Sequence, residues 1–141
     1  MEPKSISIST NGERFYAISK EIENTMAKTW KSSPSGVLTL FIQHTSCALT
    51  INESFDPSAA RDMESFLKYL APRNLGFIEH DAEGLDDSPS HMKSILLQTS
   101  LQIPVDKGKM MLGTWQGIYL CEFRDSPKTR RVILKYISDS N

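Results

Sequence analysis

The stretch LQIPVDKGKMMLGTWQGIYLCEFRDSPKTRRVILKYI, residues 101–137, decides the fold. It contains four strand-like runs: Leu101 to Val105, Lys109 to Leu112, Trp115 to Phe123 and Arg131 to Ile137. Successive side chains on a strand point to opposite faces, so apolar alternation at this period predicts β-structure. The breaks between the runs are Asp106-Lys107-Gly108, Gly113-Thr114 and Asp125-Ser126-Pro127, residue types that set turns.

Further towards the N-terminus, Val37 to His44 reads as a strand with Leu38, Leu40, Ile42 and His44 on one face. The histidine therefore ends an apolar row and is expected to be partly buried. Ala48 to Asn52 reads as a second strand. Ser5 to Ser9 and Arg14 to Ile18 alternate around Asn11-Gly12, the dipeptide that favours a tight hairpin turn, so an N-terminal hairpin is expected. From Ser19 the period changes. Ile22, Met26 and Trp30 recur at helical spacing, Glu21 and Glu23 suit a helix start, and Pro34 with Gly36 closes the segment. Asp56-Pro57 supplies an N-cap and a first-turn proline for a second helix, with Ala59, Met63, Phe66, Leu67 and Leu70 as its inner face and an end near Ala71-Pro72. Ser88-Pro89 offers the same signal for a third helix running to about Thr99, with His91 in its first turn.

No repeat, low-complexity tract or linker divides the 141 residues, so residues 1–141 are read as one domain. The expected architecture is α+β: roughly eight strands in stacked, mainly antiparallel, sandwich-like sheets with about three covering helices. Charged residues make up 23%, hydrophobic ones 39%, and the net charge is −1, which gives no reason to expect a nucleic-acid partner. The start MEPKSISIST lacks the basic and apolar regions of a signal peptide, and no apolar run has the length of a membrane span. A cytoplasmic protein with no membrane partner is expected. Cys47 and Cys121 are too few for a disulfide framework and form no CxxC pair, so packing is the expected role of both.

Chemistry is expected at the three histidines. His44 closes FIQHTS, while His80 and His91 bracket HDAEGLDDSPSH. A helix N-terminus disfavours a proton on a nearby imidazole, so His91 is expected to be neutral and able to ligate a metal. Together with His44 and His80 it completes a three-histidine set with one open position, as in a catalytic zinc site. These spacings match no local metal signature; taken singly, His44 suits a hydrogen-bonded core role better than a ligand's, and His80 in a polar loop and His91 near a cap suit surface positions. Asn52, Glu53 and Asp56 follow the first histidine, and Asp81, Glu83, Asp86 and Asp87 lie between the other two. Such oxygens orient imidazoles or hold magnesium with a substrate phosphate. Glu122 shares a strand face with Gln116, Ile118 and Leu120 and needs a partner there, for which Arg130 and Arg131 are placed. Arg131 equally suits a phosphate or carboxylate ligand. Trp115 is read as a stacking surface or, more simply, a core or interface anchor.

HTSCALTINES, HDAEGLDDSPSHMKS and IPVDKGKMMLGTWQGIYLCEF followed by the arginine pair together resemble the YjbQ-like family, known as secondary thiamine-phosphate synthases. The resemblance runs from about residue 5 to residue 137. It implies a sandwich-like α+β fold assembled as a homotrimer, with a polar pocket containing the histidines near subunit boundaries. The positions that match the family pattern are His44, Ser46, Asn52, His80, Asp86, His91, Trp115, Gln116, Glu122 and Arg131. On that footing His44, His80, His91, Asp86 and Glu122 are the expected catalytic residues. Ser46, Asn52, Gln116 and Arg131 are the expected phosphate-binding ones, and the histidines would hold a divalent metal ion, zinc or magnesium. Asp87 stands where asparagine is usual, Gln98 replaces a usual glycine, and the terminal SDSN lacks a customary glycine.

The activity implied by the resemblance joins a hydroxymethylpyrimidine diphosphate to a thiazole phosphate, giving thiamine phosphate and diphosphate. The leading expectation is thus a metal-assisted transferase acting on a small phosphorylated metabolite. The alternatives are a non-catalytic trimer that binds a metal, phosphate or metabolite, a metal-dependent phosphate-ester hydrolase, and a structural module whose polar clusters stabilise an assembly.

Overall fold

The alternating runs of residues 101–137 supply strands to both of two antiparallel sheets in a computed structural model that describes residues 2–31 and 34–139. Among the described residues the strands are β1 (Lys4–Asn11), β2 (Arg14–Ala17), β3 (Gly36–Ile42), β4 (Cys47–Glu53), β5 (Ser100–Asp106), β6 (Lys109–Met110), β7 (Gln116–Glu122) and β8 (Pro127–Ser138). The helices are α1 (Ser19–Thr29), α2 (Pro57–Leu70) and α3 (Asp87–Leu96). One sheet has the order β1-β8-β3-β5-β6 and the other β2-β7-β4. The expected α+β architecture with stacked antiparallel sheets is the observed one. Among the described residues no helix is long and apolar enough to cross a membrane.

β7 shows why the sheets stack. Ile118 and Leu120 face the main core with Leu38, Leu40, Val132 and Leu134, while Tyr119 and Cys121 face a second cluster with Phe15, Ala48 and Leu67. Both faces of the strand are therefore covered, one by the larger sheet and the other by α2. Ile22 and Met26 of α1, with Trp30 at its C-cap, enter the main core at the spacing read from the sequence.

Three expectations change. Asn11-Gly12 does not close a hairpin: β1 pairs with β8 from Lys4↔Leu134 to Asn11↔Pro127, and β2 pairs with β7 from Arg14↔Glu122 to Ala17↔Tyr119. Gly12, at φ 98°, instead turns the chain from one sheet into the other. Ile8 belongs to the main core and Phe15 to the second cluster, so the two strands bury their apolar residues in different places. Tyr16 fastens this corner, its hydroxyl accepting from Asn11 N–H at 2.8 Å and donating to the Gly12 carbonyl at 2.9 Å.

α2 starts as expected, with Asp56 Oδ1 accepting from Ser58 N–H at 2.9 Å and Pro57 in the first turn. Its inner stripe, however, is Ala60, Met63 and Leu67, whereas Phe66 and Leu70 are exposed. The third helix begins earlier than Ser88-Pro89, at Asp87 after an Asp86 N-cap. Pro89 remains within the first turn, where its missing N–H costs nothing. The carboxylate of Asp86 makes no cap bond because it is engaged elsewhere.

Candidate functional site

The start of α3 brings two of the three histidines together. His80 Nε2 lies 2.8 Å from Asp87 Oδ2, and His91 Nε2 lies 3.2 Å from Asp87 Oδ1. One ligand atom from each of His80, Asp87 and His91 falls within 4.8 Å of the others, the arrangement of a two-histidine, one-carboxylate metal site. Asp87, one helical turn before His91, is 1% exposed, while the imidazoles reach solvent.

Two details give this cluster direction. His91 Nδ1 lies 2.8 Å from the Thr45 carbonyl oxygen, which only accepts, so Nδ1 carries the proton. In a neutral ring, Nε2 then presents its lone pair to Asp87. Backbone carbonyls orient metal-bound histidines in the same way. The second detail is Asp87 Oδ2. It lies 2.8 Å from His80 Nε2, an ion-pair contact when the ring is protonated, and has no hydrogen-bond partner among the described residues. Buried carboxylate oxygens are rarely left so, because desolvation without a partner is costly. His80, Asp87 and His91 are the residues that would hold a cation here.

Arg124 fixes the other side of the carboxylates. Its Nη1 donates to Asp87 Oδ1 at 2.8 Å, its Nε to Asp86 Oδ2 at 3.0 Å, and its Nη2 to the Glu83 carbonyl at 3.0 Å. Asp86 also accepts from Asp125 N–H at 2.8 Å. Burial pushes the Asp86 carboxyl up, but the Asp125 and Arg124 hydrogen bonds outweigh it and hold it below its usual range. Arg73 in turn grips Asp125 with two bonds of 2.6 Å. The acidic segment between the histidines is thus anchored by arginines.

His44 does not join this cluster. Its Nε2 accepts the Arg131 backbone N–H at 3.0 Å, so the lone pair is used within the fold. Burial, Arg130 and, to a lesser degree, Arg131 hold its pKa below the usual histidine value, against the opposing pull of Glu122. His44 is nevertheless joined to the site through the chain, because the next residue, Thr45, supplies the carbonyl that orients His91.

Glu122 is fully buried and paired with Arg130 rather than Arg131. Arg130 Nε donates to Glu122 Oε1 at 2.7 Å and Nη2 to Oε2 at 2.5 Å, while Thr10 Oγ1 donates to Oε1 at 2.6 Å. Burial alone pushes this carboxyl up, and the Arg130 and Thr10 bonds reverse the direction, so it sits below its usual value. Ser46 belongs to the same cluster, its Oγ accepting from Arg130 Nη2 at 2.8 Å. Asn52 Oδ1 accepts from Glu53 N–H and Gln116 Oε1 from Gly113 N–H, both at 2.8 Å and both closing local turns. The Arg131 guanidinium is exposed, 3.4 Å from Ser5 Oγ. Trp115 is 56% exposed and meets Phe55 edge-on with ring centroids 5.0 Å apart. The cysteines are buried, and burial pushes the Cys47 thiol up to about 12.

Arg124 and the Thr45 carbonyl carry no signal in the sequence. Arg124 sits two residues after Glu122 at a turn, with nothing in its spacing to connect it to residues 86 and 87. In the sequence Asp87 is one of four carboxylates between the two histidines and a departure from a family pattern, with nothing to single it out as the residue on which the cluster converges.

A two-sheet α+β domain carrying a histidine–aspartate cluster at a helix start defines a class, and comparison with known proteins places it. The family described as UPF0047 protein YjbQ-like matches residues 4–139, and the chain belongs to this family. It is 45% identical to the UPF0047 protein YjbQ of Escherichia coli O157:H7 over 130 residues, covering 92% of this chain and 93% of that one. It is 37% identical to the UPF0047 protein sll1880 of Synechocystis over 127 residues, covering 90% and 85% of the two chains. Among solved structures it is similar to the conserved hypothetical protein TT1486 of Thermus thermophilus, with a TM-score of 0.84, 34% identity and coverage of 95% and 99%. The hypothetical protein APE1520 of Aeropyrum pernix gives a TM-score of 0.87 at 26% identity, covering 99% of this chain and 100% of that one.

Proposed function

We propose that this protein is a divalent-metal-dependent transferase acting on a small phosphorylated metabolite, with His80, Asp87 and His91 holding the ion. The observation that carries this reading is the convergence of His80 Nε2 and His91 Nε2 on the buried Asp87 carboxylate, at 2.8 and 3.2 Å, with Asp87 Oδ2 left without a hydrogen bond. Two imidazoles with one carboxylate favour zinc over magnesium, which prefers oxygen donors. A bound ion supplies Lewis acidity towards a phosphate oxygen or a coordinated water. The chain's own contribution is orientation: Thr45 sets the His91 tautomer, and Arg124 holds Asp87 from behind. The exposed guanidinium of Arg131 is available to a phosphate, and the His44-Thr45 segment ties its backbone to the His91 side of the site.

The family resemblance suggests the reaction. A thiazole nitrogen bonds to the pyrimidine methylene carbon, and diphosphate departs with the electron pair of the broken C–O bond. Arg131 would meet the charge of that leaving group. The same resemblance supports a homotrimer, and exposed Phe66, Tyr69, Leu70 and Phe77 offer the apolar surface that an assembly needs.

The test combines titration and turnover. Metal-free protein titrated with zinc should bind it, and His80→Ala and His91→Ala should abolish that binding while circular dichroism stays unchanged. Thiamine phosphate formation from the two phosphorylated precursors should require the ion. Zinc binding without turnover would leave a metal-binding protein and remove the transferase, whereas no zinc binding by the wild type would sink the whole reading. Light scattering at the mass of a monomer would remove the trimer.

A further inference from the structure

A cavity that shares no residue with the histidine cluster lies between α1 and the β5–β6 turn. Its volume is about 680 Å³, within the usual range of small-molecule sites. Met26, Ala27 and Trp30, on and just after α1, form its apolar wall with Met110 of β6. Lys31, Lys107 and Lys109 line it with only Glu23 opposing them, a local charge of +3 − 1 = +2 in a chain whose total is −1. Among the described residues none of these three ammonium groups makes a hydrogen bond or ion pair.

The turn is built at a conformational cost. Lys107 has φ 49°, a left-handed backbone that suits glycine or asparagine far better than lysine. Ser35 holds it there, its Oγ accepting from Lys107 N–H at 3.1 Å and donating to Asp106 Oδ1 at 2.8 Å. The Lys107 side chain is exposed, and among the described residues its ammonium makes no hydrogen bond or ion pair that would fix it within the fold. Strain of this kind often marks a functional position.

From the combination we infer that this groove binds a small organic anion, its charged head at Lys107 and Lys109 and its apolar body against Met26, Trp30 and Met110. Phosphate, sulfonate or carboxylate suits the lysines equally, because an ammonium acts as a point charge. The apolar wall excludes a bare inorganic anion as the best occupant. The negative end of α1 near Trp30 works against an anion, which makes the surplus of lysines the more telling.

The probe is 8-anilinonaphthalene-1-sulfonate, an aromatic body with a sulfonate, added to the full-length folded chain. Saturable binding at a single class of site is expected, displaced by phenyl phosphate but not by benzyl alcohol or inorganic phosphate at equal concentration. The double variant Lys107→Ala/Lys109→Ala should weaken it by about tenfold or more, as loss of charge-assisted contacts requires. Met110→Ala should weaken it as well, with near-ultraviolet circular dichroism unchanged in both. Wild-type affinity in the double variant, or equal displacement by benzyl alcohol, overturns the inference. So does light scattering in which Lys107→Glu/Lys109→Glu dissociates an oligomer, since a second copy would then occupy the groove. None of these outcomes depends on whether His80, Asp87 and His91 hold a metal.

Discussion

Asp87 and Glu122 are both buried carboxylates held by an arginine, yet their surroundings assign them opposite work. Both oxygens of Glu122 are satisfied, by Arg130, Thr10 and the N–H groups of Phe123 and Arg124. Its partner is foreseeable, because a carboxylate at the end of an apolar strand face must be neutralised. Removing one side of such a pair leaves an uncompensated charge, so Arg130→Met should cost about 3–5 kcal/mol in urea unfolding. The double variant with Glu122→Gln should cost less than the sum of the single changes. Asp87 leaves one oxygen without a hydrogen bond, and its anchor Arg124 is not foreseeable, lying 37 residues away in sequence on a turn. If Arg124 presents that oxygen to an ion, Arg124→Lys should weaken zinc affinity by about 10–100-fold, measured by calorimetry, while leaving the melting temperature nearly unchanged. Zinc affinity equal to wild type would reduce Arg124 to a structural clamp. Cys47 offers a control at the same scale. With its thiol pushed up to about 12, it should resist iodoacetamide at pH 8 until the protein is unfolded.

Elements whose two faces differ strongly are readable in the sequence, and those with apolar residues all round are not. β3 announces itself by alternation and α1 by Ile22, Met26 and Trp30, while β7, buried on both faces, is marked instead by the turn residues that bound it. α2 carries Ala59, Ala60, Met63, Phe66, Leu67, Tyr69 and Leu70 around most of its circumference, so the sequence does not select the 60-63-67 stripe that packs inward. The Asn11-Gly12 turn misleads for a related reason. A turn dipeptide fixes local backbone direction, but whether the strands it joins pair with each other depends on which partners, here β8 and β7, compete for their edges. The close approach of β3 and β8 is sharper still. A Cβ on Gly36 would lie 2.2 Å from the Ile137 carbonyl oxygen, a backbone atom that cannot rotate away. Gly36→Ala should therefore destabilise by about 1–3 kcal/mol in urea titration, as overpacking does. At the β5–β6 turn the direction reverses. Lys107→Asn relieves the left-handed strain and should stabilise by up to about 1 kcal/mol. A loss of stability there would show that the lysine is held by contacts within the fold.

Across the whole molecule, the charged clusters set how stability responds to acid. Glu122, Asp86 and Asp125 all titrate below their ordinary values in the fold; for Asp125 the Arg73 hydrogen bonds are the largest cause. A carboxyl depressed by folding binds more protons when unfolded. Its stabilisation is complete above the unfolded value, about 4, and is lost as pH falls through the folded one. His44 obeys the same sign for a different reason, since burial, chiefly, and Arg130 keep its ring neutral. Between the unfolded value, about 6.5, and its lower folded one, the unfolded chain takes up the proton and the native chain does not. Stability should consequently fall in two stages on acidification, a shallow one beginning near about pH 6.5 and a steeper one below about pH 4. His44→Gln should flatten the shallow stage and leave the steep one, when urea unfolding is measured across the series at fixed ionic strength. Glu122→Gln, by contrast, should lower stability at neutral pH and weaken the acid limb. A profile in which His44→Gln leaves the shallow stage intact would show that His44, and with it the Arg131 N–H contact, does not set that stage.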